Sequence, residues 1–239
     1  MSRTVVLAWF LLKELARSLG LIAPLGLTLA LYWIFFEWPG DVNYFAATGS
    51  FTLMVVTLVT VLLLASQLNR NSSAVTLLRL TRRSELLTAI VLCVAVLAVL
   101  LAGLYTVLAV VQANVAIQPV ELLLIAPRWI ALIVFAASLG LMLTRLTSRG
   151  GSYLVTFVAL ALFATVVERR GVLVRGSFAW LAEAVTLLAS PVTSALREPA
   201  VPTSLPVYLL AIVGTLIYAA GLFALAAWLF RRKDLLWAE

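Results

Sequence analysis

"LLTAIVLCVAVLAVLLAGLYTVLAVVQ", residues 86–112, runs for 27 residues without a charge. Crossing the hydrocarbon of a bilayer as a helix takes about 20 apolar residues. Only helices and closed barrels satisfy their own backbone polar groups there, and this run lacks the alternation of a barrel strand. It therefore reads as a transmembrane helix. Applied outward, the same reading gives six spans, at 21–37, 46–67, 86–112, 128–146, 152–168 and 206–230.

Composition agrees. Hydrophobic residues make up 64% of the 239-residue chain and charged residues 11%, with a mean hydropathy of +1.14. A water-soluble globule is normally about a quarter charged, so this chain has too little polar surface to be one. The expected fold is an all-α integral membrane protein forming one bundle, 1–239. The first twenty residues carry Lys13, Glu14 and Arg17 directly after an apolar stretch and show no small-residue cleavage site, so they read as mature sequence.

Absent residue types remove whole classes of chemistry. There is no His, which excludes His-ligated haem, the H-E-x-x-H metalloprotease helix and Ser-His or Cys-His nucleophile pairs within the chain. The one cysteine, Cys93, lies inside an apolar run and reads as a packing residue. No Gly precedes a Lys, so no phosphate-cradling P-loop exists. Any ATP dependence has to come from a partner.

Basic residues set the expected orientation. With both termini cytoplasmic, the inner segments hold 12 of the 17 Lys and Arg, among them Arg3, Arg70, Arg145, Arg231, Arg232 and Lys233. The expected location is the cell (inner, cytoplasmic) membrane. The net charge of +7 follows from this bias and points to no nucleic-acid partner. The outer segment 169–205 departs from the rule. Its stretch 178–196 is nearly apolar enough for a seventh span, but a seventh span would turn Arg231 and Arg232 outward and put Glu183 into hydrocarbon. A helix lying in the outer interface, or one dipping in and returning at Ser190-Pro191, fits better.

Residues 1–20 project Arg3, Lys13, Glu14 and Arg17 to one side of a helix, as expected of an interfacial helix on the cytoplasmic face with Trp9 and Phe10 at headgroup level. The alternative is an inward extension of the first span. Ahead of the quoted run stands "LLRLTRRSE", 77–85. Ser72-Ser73 offers an N-cap, and leucines including Leu77 and Leu78 alternate with Arg79, Arg82 and Arg83. Two readings stay open for it: a short docking helix whose leucines enter a partner's groove while the arginines meet an acidic rim, or a solvated basic loop. In the second span Thr57, Thr60 and Gln67 share a face, either as a polar stripe toward a path or as packing. Arg128, after Pro127, reads as a snorkelling anchor, with an outer vestibule as the alternative.

This order of surface helix, two spans, basic connection, three spans, long outer segment and last span resembles the membrane subunit of ATP-binding-cassette transporters of the type-2 exporter superfamily. "RRSELL", 82–87, matches part of that family's pattern after the second span; Thr88-Ala89 stands where Gly-Lys is usual, and Thr81 where Pro is common. The resemblance implies a coupling helix at 72–83 docking on a cytoplasmic ATP-binding-cassette ATPase subunit, with Leu77, Leu78, Arg79, Arg82, Arg83 and Glu85 as its contacts. It also implies a second permease, the same or a homologous chain, a re-entrant hairpin at 178–196, and ATP and Mg held only in the partner. The chain itself would be no enzyme. Two other classes stand beside this one. A non-transporting scaffold or assembly subunit could use the same loop; an ion-driven transporter ranks lower, because Glu121, Glu168 and Glu183 all lie toward the outer side.

Overall fold

The computed structural model describes residues 3–18, 20–37, 40–68, 83–144, 192–196, 199–202 and 204–232. They form α1 (Arg3–Arg17), α2 (Ile22–Phe35), α3 (Val42–Leu68), α4 (Arg83–Val111), α5 (Pro119–Leu143) and α6 (Leu205–Arg232), with one further helical turn at 192–196. No strand occurs among the described residues. Four helices, α3 to α6, are long and apolar enough to cross a membrane, and α1 with α2 form a bent pair that would make a fifth span. The chain is an all-helical, multi-pass membrane protein by this measure. The expected span 152–168 and most of the outer segment 169–205 lie outside the described residues.

Helix ends follow local chemistry. Asp41 caps α3, its Oδ1 accepting the Tyr44 N–H at 2.8 Å. α4 stops where Asn114 takes a left-handed backbone with φ 52°, a conformation Asn tolerates, and the turn closes with the Val115 N–H on the Ala109 carbonyl at 3.1 Å. α5 opens with Pro119 in its first turn, and the Gln118 N–H donates to Glu121 Oε2 at 2.8 Å. α5 thus starts at Pro119 rather than at the expected 128. Pro127 sits inside it; lacking an N–H, it leaves the Leu123 carbonyl without its usual donor but does not end the helix. Tyr208 of α6 donates its hydroxyl to the adjacent Leu124 carbonyl and ties the two helices at that weak point.

α3, α5 and α6 run in the same direction, side by side. Gly49 meets Trp129 and Gly140 meets Val61, so residue numbers rise together along α3 and α5. Tyr208, early in α6, meets Leu124, early in α5, while Ala226 and Phe230, late in α6, share a cluster with Ala137 and Leu141, late in α5, so α6 follows α5 in parallel. α4 runs back against α3, since Tyr105, late in α4, donates to Thr48, early in α3, at 3.0 Å.

The core divides along the bundle. At the end carrying α1 it is almost wholly aliphatic: Leu11 and Leu15 of α1 with Leu64, Leu86, Ile90, Val94 and Leu141. At the opposite end it is aromatic: Tyr32, Phe45, Tyr105 and Trp129, with Phe36 against them. Tyr105 lies edge-on to Tyr32 at 5.7 Å and stacked on Phe45 at 5.8 Å.

Candidate functional site

The α1 end is where the expected docking residues belong. α3 ends at Leu68 and α4 begins at Arg83. Leu77, Leu78, Arg79 and Arg82, and with them the expected coupling helix 72–83 up to its last residue, lie outside the described residues; Arg83 is placed by its backbone as the first residue of α4. Glu85 stands half-buried in the first turn of α4, where a carboxylate also complements the positive end of the helix dipole. Directly after it, Leu86 and Leu87 are buried in the aliphatic cluster, which fixes the start of α4 against α1.

A second contact holds α3 at this end. Gln67 Nε2 donates to Ser18 Oγ at 3.0 Å, across 49 residues of sequence, and Ser18 itself donates to the Leu15 carbonyl at 3.2 Å. Gly20 makes the approach possible. A Cβ there would lie 2.6 Å from Leu15 Cδ1 and 2.8 Å from Gln67 Nε2. Gln67, one of the expected pathway residues, is thus engaged with the turn between α1 and α2. Sequence reasoning passed over Ser18, since nothing in its neighbourhood marks a partner so distant in the chain.

Lys13, Glu14 and Arg17 are all exposed on α1, while Ala8, Leu11 and Leu15 turn inward. The axes of α1 and α2 are bent by 75°. Thr57 and Thr60 are buried in α3. Thr60 donates back to the Val56 carbonyl at 2.7 Å, whereas Thr57 Oγ1 has no hydrogen-bond partner among the described residues.

The opposite end holds the polar groups that sequence reasoning misjudged. Arg128 does not snorkel: it is 1% exposed, and its Nη1 donates to the Pro199 carbonyl at 3.4 Å. The segment 199–202 is in turn fastened to α3, because the Ala200 N–H donates to Asn43 Oδ1 at 2.8 Å. Trp129 donates through Nε1 to Ser50 Oγ at 3.1 Å. Below these, Val192 and Ala195 of the helical turn 192–196 pack on Leu132 and Ala211. Ala211 is six residues past the start of α6, so this contact lies about 9 Å inside that helix at 1.5 Å per residue. An arginine inside an apolar run was a visible signal of internal polar structure. Its partner 71 residues away was not.

No family model, curated protein sequence or solved structure matches the chain.

Proposed function

We propose that the chain is the permease subunit of an ATP-driven exporter, pairing with a second permease and docking a separate cytoplasmic ATPase through residues 72–83. The observation that carries this reading is the form of α3 and α4. At 27 and 29 residues they extend about 40 Å and 43 Å, roughly 10 Å more than the hydrocarbon is thick. That excess can carry the basic connection between them clear of the bilayer, where a partner can reach it. Basic residues bias this end to the cytoplasm.

Parity gives further support. If α5 and α6 both cross the bilayer, their parallel course supports a joining chain that returns across it an odd number of times. One crossing at 152–168, with 169–205 remaining on the outer side, meets that requirement. A second crossing at 178–196 would not. The seat of 192–196 between α5 and α6 favours a segment that dips inward and comes back, as a re-entrant hairpin does. On this reading the first span is α2, whose 14 residues extend about 21 Å and so require a locally thinned bilayer, and with it the total is six and both termini are cytoplasmic.

On this reading ATP binding closes the partner ATPases, the coupling helices move with them, and the bundles rock so that a path between two permeases opens outward. Thr57, Thr60 and Gln67 are the expected residues for that path; with both threonines buried within the bundle and Gln67 held by Ser18, reaching them requires α3 to part from its neighbours as the bundles rock.

The test is a gentle purification from the native membrane, with identification of what accompanies the chain and an ATPase assay. A stoichiometric P-loop subunit whose hydrolysis depends on this chain is the expected result, and Arg82→Glu with Arg83→Glu should abolish that dependence. A homogeneous preparation lacking ATPase activity would sink the exporter reading in favour of a scaffold.

A further inference from the structure

α1 presents three surfaces. Turning about 100° per residue, Ala8, Leu11 and Leu15 occupy one arc and are buried against α4. Val5, Trp9, Leu12 and Ala16 occupy the next, with Trp9 68% exposed. Lys13, Glu14 and Arg17 follow, all exposed. Trp9, Lys13 and Arg17 thus form one row at four-residue spacing, with Phe10, 47% exposed, beside it.

Two cations four residues apart on a helix repel by a few tenths of a kcal/mol unless an anion lies between them. Among the described residues neither Lys13 nor Arg17 has an ion-pair partner, Glu14 included. The height of α1 is fixed by its burial against the first turns of α4. Six and ten residues beyond Leu86, α4 exposes Leu92 and Val96, an apolar flank suited to acyl chains. Exposed aromatic rings next to paired cations, bordering an apolar flank, match the boundary between acyl chains and phosphate.

We propose that α1 is a docking surface for anionic phospholipid headgroups: Lys13 and Arg17 hold the lipid phosphates, and Trp9 and Phe10 seat at the level of the glycerol backbones. The proposal rests on the reading of the chain as a membrane protein with α1 at the interface. Its consequence is an enrichment of acidic lipid around the turn between α1 and α2. Two cations offset by Glu14 leave about one net charge, which corresponds to roughly fivefold preference for an anionic over a zwitterionic lipid.

The test uses the full chain in phosphatidylcholine vesicles. With Cys93→Ala and Ala16→Cys, a bimane label placed at position 16 reports contact with brominated lipid. Brominated phosphatidylglycerol should quench it about fivefold more effectively than brominated phosphatidylcholine at equal mole fraction. Lys13→Gln with Arg17→Gln should bring the two to equality, and Glu14→Gln should widen the gap. Equal quenching in the chain that retains Lys13 and Arg17 overturns the headgroup preference while leaving α1 on the bilayer. Absence of quenching by either lipid overturns the interfacial placement as well.

Discussion

Gly49→Ala probes the closest approach between α3 and α5. A Cβ at position 49 would lie 2.4 Å from Trp129 Cζ2 and 3.2 Å from Cε2 and Cη2. Ordinary carbon contacts begin near 3.5 Å, so the indole has to retreat by about 1 Å. It has little room to do so. Its Nε1 donates to Ser50 Oγ at 3.1 Å, and its ring packs on Phe45 at 5.3 Å and Tyr105 at 6.5 Å. Swinging away forfeits a hydrogen bond worth about 1 kcal/mol and ring contacts worth about 0.5–1.5 kcal/mol. Separating the helices instead incurs the usual overpacking cost of about 1–3 kcal/mol. Alanine's better helix propensity returns about 1 kcal/mol, so the net loss is about 0.5–1.5 kcal/mol. Gly103→Ala on α4 is the counterpart: its Cβ would meet nothing within 4 Å, so only the propensity gain remains. For a chain of this size about 1.5–2.5 kcal/mol between the two variants corresponds to roughly 3–10 °C in midpoint. Heating both in detergent and measuring the surviving monodisperse fraction reads that difference. A Gly49→Ala protein as heat-resistant as Gly103→Ala would refute the close α3–α5 contact.

Three other outcomes follow from the same contacts. Gln67→Ala and Ser18→Ala should show a coupling of about 0.5–1.5 kcal/mol in a double-mutant cycle of detergent stability, whereas strict additivity would mean the bond is not formed. Trp129→Phe should lower stability by about 1 kcal/mol and make a following Ser50→Ala nearly neutral; a second, equal loss from Ser50→Ala would show that the two side chains act independently. In a Cys93→Ala background, Asp41→Cys and Asn114→Cys should react with an impermeant maleimide from outside intact cells, and Arg17→Cys only after permeabilisation. The opposite pattern would invert the orientation.

Long apolar runs made the helices legible. The run 86–112 is α4 within three residues at either end, and 206–230 is α6 within two, because a window without charges has one stable form in hydrocarbon. The fourth span was misjudged by nine residues, since Pro127 and Arg128 look like a boundary when only propensity is weighed. In the fold, Tyr208 and the segment 199–202 compensate both, and the true start was written in Pro119 and Glu121, a proline and a carboxylate in a first helical turn. α2 is shorter than its apolar run suggested, at 14 residues or about 21 Å, and continues into α1 through a bend. The polar contacts between helices were not legible. Partners 49 to 157 residues apart, such as Gln67 with Ser18 or Ala200 with Asn43, are set by which helices become neighbours, and no local pattern encodes that.

The unequal halves of the core bear on how the bundle can deform. Around Tyr105 and Trp129 each contact has a direction: a hydroxyl on one oxygen, a ring edge on one face. Such contacts resist sliding, because a displacement of an ångström breaks them outright. Leucine against leucine around Leu15, Leu64 and Leu86 resists little, since one set of dispersion contacts is exchanged for another of nearly equal energy. A body locked at one end and lubricated at the other does not bend evenly when pushed. It swings about the locked end, so a force applied near Leu68 or Arg83 is met as leverage, with the fulcrum among the aromatic rings.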